Sequence, residues 1–176
     1  MTADEFINAH HPSKMWQFAA NPDRCHIGKG MTIAQACDAY GAHVIYKVLC
    51  NLISDFVTYN QARSNLTTAQ YNDLAAVIVT EFRGLKVAEL VLFFAKAKAG
   101  RFGKFFSTIY PMDLTTQLCE WEKECNQQRN ELLYKASERA KEQQRDEMYT
   151  ARSVAAAEWI TNNGKDYGTS ELPPET

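Results

Sequence analysis

Residues 86–113, KVAELVLFFAKAKAGRFGKFFSTIYPMD, decide how the rest of the chain is read. Val87, Leu90, Val91 and Phe94 recur at helical spacing, which predicts an apolar helix from about Lys86 to Ala99, closed by Gly100. The helix runs into Lys96, Lys98, Arg101 and Lys104, interleaved with Phe102, Phe105 and Phe106. No acidic residue occurs from Leu90 to Met112, so these cations gather in a chain whose net charge is −2. A basic, aromatic, glycine-punctuated loop between helices is the one local feature that points to a ligand.

Upstream, the patterns are helical as well. Thr2 with Glu5, Thr32 with Gln35 and Thr67 with Gln70 have the spacing of capping boxes, in which each side chain satisfies the other's backbone N–H. The first opens a short helix that His11-Pro12 stops, and Ser13 opens a second holding Met15, Trp16 and Phe18. Residues 21–30, NPDRCHIGKG, are rich in turn formers and read as a loop. Ile33, Cys37, Tyr40, Val44, Val48, Leu52, Phe56 and Tyr59 then form one long stripe, with Gly41 inside it as a bend or close contact. Residues 60–65 are a polar connection. Beyond them Leu66 and Tyr71 flank the third capping box as a hydrophobic staple, and the helix that follows ends at Gly84, read as a left-handed cap.

Downstream, Pro111 pushes Tyr110 out of helical geometry, and Asp113 is positioned to cap a helix that continues to about Ile160. Leu114, Leu118, Trp121 and Cys125 lie on one face of its first part. From Arg129 to Glu147 the helix carries five positive and five negative charges, and its apolar seam fails after Leu132, which excludes a sustained coiled coil. Met148, Val154, Trp159 and Ile160 restore apolar character near its end, and a solvated helix has no reason of its own to finish that way. They are the candidate partner-binding residues. Residues 161–176 read as a tail.

Composition sets the outer bounds. With 176 residues, 45% of them hydrophobic and 23% charged, the chain is one ordinary domain with a real core. The slight net negative charge excludes wrapping of nucleic acid over the whole surface, so anion binding must come from a local patch. No run approaches the roughly 20 apolar residues of a membrane span. The N-terminus lacks the layout of a secretory signal, which gives the cytoplasm of a bacterial host as the expected location, with the virion as the alternative. Five scattered cysteines, Cys25, Cys37, Cys50, Cys119 and Cys125, read as free buried thiols.

Catalytic signatures are missing: there is no nucleophile elbow, zincin helix, P-loop or dinucleotide fingerprint. His10, His11, Cys25 and His26 match no zinc spacing, and Glu120, Glu122 and Glu124 do not share a helical face. No metal, cofactor or small-molecule substrate is therefore expected. The candidate nucleic-acid-binding residues are Lys96, Lys98, Arg101, Phe102 and Lys104, the cations for phosphates and the ring for base stacking. Gly100-Arg-Phe-Gly103 is a GxxG, but the strands that a KH domain needs around such a loop are not visible.

Leu66-Thr67 with Gln70, Phe82 with Leu85, Ala88-Glu89-Leu90, Phe93-Phe94, Lys98, Gly100-Arg101-Phe102-Gly103, Phe106, Asp113 and Trp121 follow one another in a recognisable order. Over about residues 30–129 the chain resembles a group of small all-helical proteins of phages and mobile elements of gut anaerobes. The resemblance implies an all-helical fold, a mobile-element origin and an accessory role such as helicase loading in phage replication. The charged helix after Arg129 departs from that group's pattern. The expected architecture is all-α, a compact multi-helix domain over 1–128, a charged C-terminal helix over 129–160 and a tail. The expected function is non-enzymatic: a DNA-replication accessory using the basic loop or, as the alternative, a protein-interaction module using the long helix. In the latter, another protein or a second copy is the partner.

Overall fold

In the computed structural model the described residues are 1–60, 66–103 and 110–163, and they are almost entirely helical. In chain order they form α1 (Ala3–Ala9), a 3-10 turn (Pro12–Lys14), α2 (Met15–Ala20), α3 (Pro22–Ile27), α4 (Ile33–Tyr40), α5 (Ala42–Tyr59), α6 (Thr68–Glu81), α7 (Val87–Lys98) and α8 (Pro111–Asn163). The fold is all-α, and its last helix is 53 residues long. The polar connection at 61–65, the basic loop from Lys104 to Ile109 and the tail from Gly164 onward lie outside the described residues.

Local chemistry explains the starts. All three capping boxes form, with the hydroxyls of Thr2, Thr32 and Thr67 accepting the backbone N–H of Glu5, Gln35 and Gln70. Each such cap contributes about 1 kcal/mol. Two segments differ from their sequence reading. The residues expected to be loop contain α3, because Pro22 sits in the first turn with its φ already helical and Asp23 favours the N-terminal end. The long stripe from Ile33 to Tyr59 is two helices, broken at Gly41. There φ is +88° and ψ 148°, a region open essentially to glycine alone. Gly84 is not in the left-handed region, so it is no such cap; α6 closes one turn earlier, with Phe82 N–H donating to Ile78 O. Gly100 and Gly103 do adopt positive φ, at +80° and +87°, and turn the chain out of α7.

The chain separates into two compact units, Met1–Leu132 and Leu133–Thr176. In the first, α7 is the central element and packs against α2, α3 and α5, while α5 also meets α1, α4 and α6. Val87, Leu90, Val91, Leu92, Phe93 and Phe94 are all buried, so α7 is apolar on every side because it is surrounded on every side. An antiparallel bridge between Thr32 and Lys86 ties the starts of α4 and α7 together, through Ile33 N–H to Leu85 O (2.8 Å) and Val87 N–H to Met31 O (3.0 Å). The first turns of α8 complete this core with Leu114, Leu118, Trp121 and Cys125.

The second unit, as far as it is described, is the later part of α8. None of its residues from 133 to 162 is buried. Alanine, glutamate, lysine, arginine and glutamine dominate it, all strong helix formers, and Lys141 pairs with Glu138 at 2.8 Å. No helix among the described residues is long and apolar enough to cross a membrane.

Candidate functional site

Two places have to be weighed: the basic turn after α7, and a buried polar cluster at the start of α7. The turn is built by Gly100 and Gly103, and the structure gives most of its cations partners within the chain. Lys98 forms an ion pair with Asp55 and lies 5.0 Å over the Tyr59 ring. Arg101 pairs with Glu124 on α8. Lys96 sits 4.8 Å over the Trp121 ring, and partial burial, reinforced by the neighbouring Arg101 charge, lowers its pKa. Phe102 stacks on Phe93 at 4.9 Å and meets Trp121 edge-on, so its ring is part of the aromatic core. Lys104 lies outside the described residues. The turn is thereby bound to α5 and α8 by groups that could otherwise meet phosphates or bases.

The buried cluster centres on Glu89, which no sequence signal had marked as a candidate beyond its place as the lone acid in an apolar run. It lies in the first turn of α7 and is wholly buried. One carboxylate oxygen, Oε2, accepts the Lys86 backbone N–H at 2.9 Å, closing the helix start. The other, Oε1, accepts from His26 Nδ1 at 3.0 Å and lies 3.3 Å from Arg129 Nε. A carboxylate only accepts, so His26 must carry its proton on Nδ1. Trp121 Nε1 donates to the Glu89 backbone carbonyl at 3.0 Å. Lys86 Nζ donates to the carbonyls of His26 (2.6 Å) and Gly28 (2.8 Å), where α3 ends and its unpaired carbonyls need donors. Three distant segments are joined here around one carboxylate, and no buried side-chain polar atom among the described residues lacks a partner.

Cys125 lies beside this carboxylate, its sulfur within 4.8 Å of the donor atoms of His26 and Glu89. These three are the described residues best placed to hold a metal ion. The charge is already matched, however, by the Arg129 guanidinium, whose Nε lies 3.3 Å from Oε1, and Lys86 adds a second positive charge nearby. The thiols are not poised for nucleophilic work either. Burial, with the Glu89 charge second, pushes Cys25 up to about 11 and raises Cys125 further. A pocket of about 280 Å³ adjoins the cluster, lined by Gln17, Phe18, Asn21, Arg24, Cys25 and Ala88. It is smaller than the ~300–1,000 Å³ typical of ligand sites. The arrangement acts as an internal lock: it neutralises a buried charge and fixes α3, α7 and α8 to one another.

The candidate partner-binding residues fall in the second unit. Met148, Val154, Trp159 and Ile160 are 49%, 52%, 62% and 61% exposed, and Leu133, Tyr134 and Tyr149 are more than half exposed as well. Sequence reasoning had singled out the first four but not Leu133, Tyr134 and Tyr149.

Among known proteins, no curated protein and no solved structure matches the chain. A family model does match residues 65–167, that of a family of unknown function (DUF6633). The matched span runs from the approach to α6 through the described part of the second unit, and it includes Glu89, Trp121, Cys125 and Arg129 but not His26.

Proposed function

From the premise that the chain belongs to this family of unknown function, we propose that it is a non-enzymatic protein-interaction module. Its working surface is the later part of α8, from Leu133 onward. One observation carries the reading: over some thirty residues this helix buries no side chain, yet displays Leu133, Tyr134, Met148, Tyr149, Val154 and Ile160 to solvent. Large apolar groups exposed along one helix supply anchors of the kind a partner's groove takes up. The setting is an accessory role in a phage or mobile element within the bacterial cytoplasm, a reading supported by the resemblance of residues 30–129. The DNA-binding alternative draws less support, since Lys98 and Arg101 are engaged in ion pairs and Phe102 in the core.

Two measurements on the full chain decide between them. In affinity capture from expressing bacteria, replacing Tyr134, Met148, Val154 and Ile160 with Ser should abolish a captured partner that wild type retains. In a fluorescence anisotropy titration with duplex DNA, replacing Lys96, Lys98, Arg101 and Lys104 with Gln should change nothing. Unaltered capture, together with DNA binding whose log–log salt slope falls by roughly 3 to 4 units in the Gln variant, would replace this reading with the DNA one.

A further inference from the structure

We infer that the second unit takes up an acidic protein surface, on one face of α8 that presents Tyr134, Lys141, Arg145, Met148 and Arg152. The inference rests on the proposed interaction role of α8 and adds to it the partner's chemistry and the face that meets it.

The placement of charge around the helix decides that chemistry. At about 100° per residue, these five side chains fall within about 60° of one another, and all are exposed. Asp146, Glu147 and Glu158 project about 110–130° from the centre of this face, and Glu142 about 90° from it. Glu138 lies at its edge and is taken by Lys141 at 2.8 Å. Among the described residues, Arg145 and Arg152 form no ion pair. The face is therefore cationic, with its acids turned aside or already paired.

Met148 stands between the two guanidiniums, one turn from each on the same row of the helix. Arg145 and Arg152 are about 10 Å apart along the axis. A surface that fits has an apolar slot for the thioether and a carboxylate on each side of it, each gripped at two points by a planar guanidinium. Tyr, Met and Arg are also the residue types that protein interfaces favour. A second copy does not fit, since in either orientation it sets cations against cations with no unpaired acid on the face. A phosphate surface fits less well. Clusters that hold a membrane gather about 4–8 cations, more than the three here, and phosphates give Met148 nothing to bury against.

The test is affinity capture by the full chain from nuclease-treated lysate of expressing bacteria, followed by titration with the captured protein once identified and purified. Arg145→Glu with Arg152→Glu should weaken binding at least about tenfold, because like charges set together at an interface are strongly unfavourable. Lys135→Glu with Arg139→Glu makes the same change of net charge about 110–150° from the face centre and should alter binding less than about twofold. Arg145→Gln with Arg152→Gln should give an intermediate loss, and circular dichroism should show equal helicity throughout. Equal loss in both Glu variants overturns the inference, as does binding unchanged by the Arg145 and Arg152 substitutions. Tighter binding of duplex DNA or of phosphatidylglycerol vesicles than of any protein, lost in the same variant, would assign the face to phosphates instead. Where Tyr134, Met148, Val154 and Ile160 replaced by Ser lose the captured protein but the Arg145 and Arg152 variants keep it, the interaction reading stands and this inference falls. Capture of no protein by wild type, or retention in every variant, removes both.

Discussion

Replacing Glu89 with Gln tests the idea that one buried carboxylate fastens the first unit. Gln keeps a single acceptor oxygen, so its NH₂ must face at least one of two donors now satisfied, the Lys86 N–H or His26 Nδ1. It also removes the charge that matches Arg129. Breaking a buried ion pair from one side costs about 3–5 kcal/mol. The Arg129 side chain is 20% exposed and regains some hydration, so the low end applies, about 3 kcal/mol. For a unit of this size each kcal/mol moves the thermal midpoint by roughly 3–5 °C, which gives a fall of about 9–15 °C. Far-ultraviolet circular dichroism on the full chain reads it, and a double-mutant cycle with Arg129→Gln should return a coupling of about 1–3 kcal/mol. A midpoint lowered by less than about 3 °C, with additive effects in the cycle, would show that the cluster is incidental to stability.

Three further outcomes are expected. Burial lowers the pKa of His10 from its usual value near 6.5, against the smaller opposing effect of its hydrogen bond to Phe6 O. The folded state therefore binds this proton later than the unfolded chain. Stability should fall as the pH drops through and below about 6.5, and His10→Gln should flatten that dependence in melts at pH 7.5 and 5.5. Gly41→Ala forces a side chain into a Gly-only region and should cost about 1–3 kcal/mol, read by chemical denaturation. Thiol titration of the native protein should show one fast group, abolished by Cys119→Ser, while the buried Cys25 and Cys125 react only on unfolding.

What could be read from sequence was what short range decides. The capping boxes at Thr2, Thr32 and Thr67 and the apolar α7 follow from patterns within a few residues, whereas α8 starts at Pro111 rather than after an Asp113 cap, because a proline in the first turn has its φ already helical. The break at Gly41 was visible only as a glycine, because its positive φ depends on how α4 and α5 pack. Residues 21–30 were misread because their turn formers, Asn21, Pro22 and Asp23, are equally the residues that start a helix. The polar cluster was hidden for a different reason. His26, Glu89 and Arg129 are separated by 63 and 40 positions, and nothing in the local pattern of any one announces the others. The same distance hid the fate of the loop cations, whose partners Asp55 and Glu124 lie on other helices.

The Glu89 cluster also imposes an order of events on a chain emerging from the ribosome. Glu89 is made well after His26 but 40 residues before Arg129. At 5–20 residues per second the interval is about 2–8 s. During it α7 exists without the guanidinium that neutralises its acid and without Trp121, which covers it. An early collapse of α7 onto α2 and α3 would bury a charge with only half its partners. Closure of this unit therefore gains its full stability only once the start of α8, with Trp121 and Arg129, has been made.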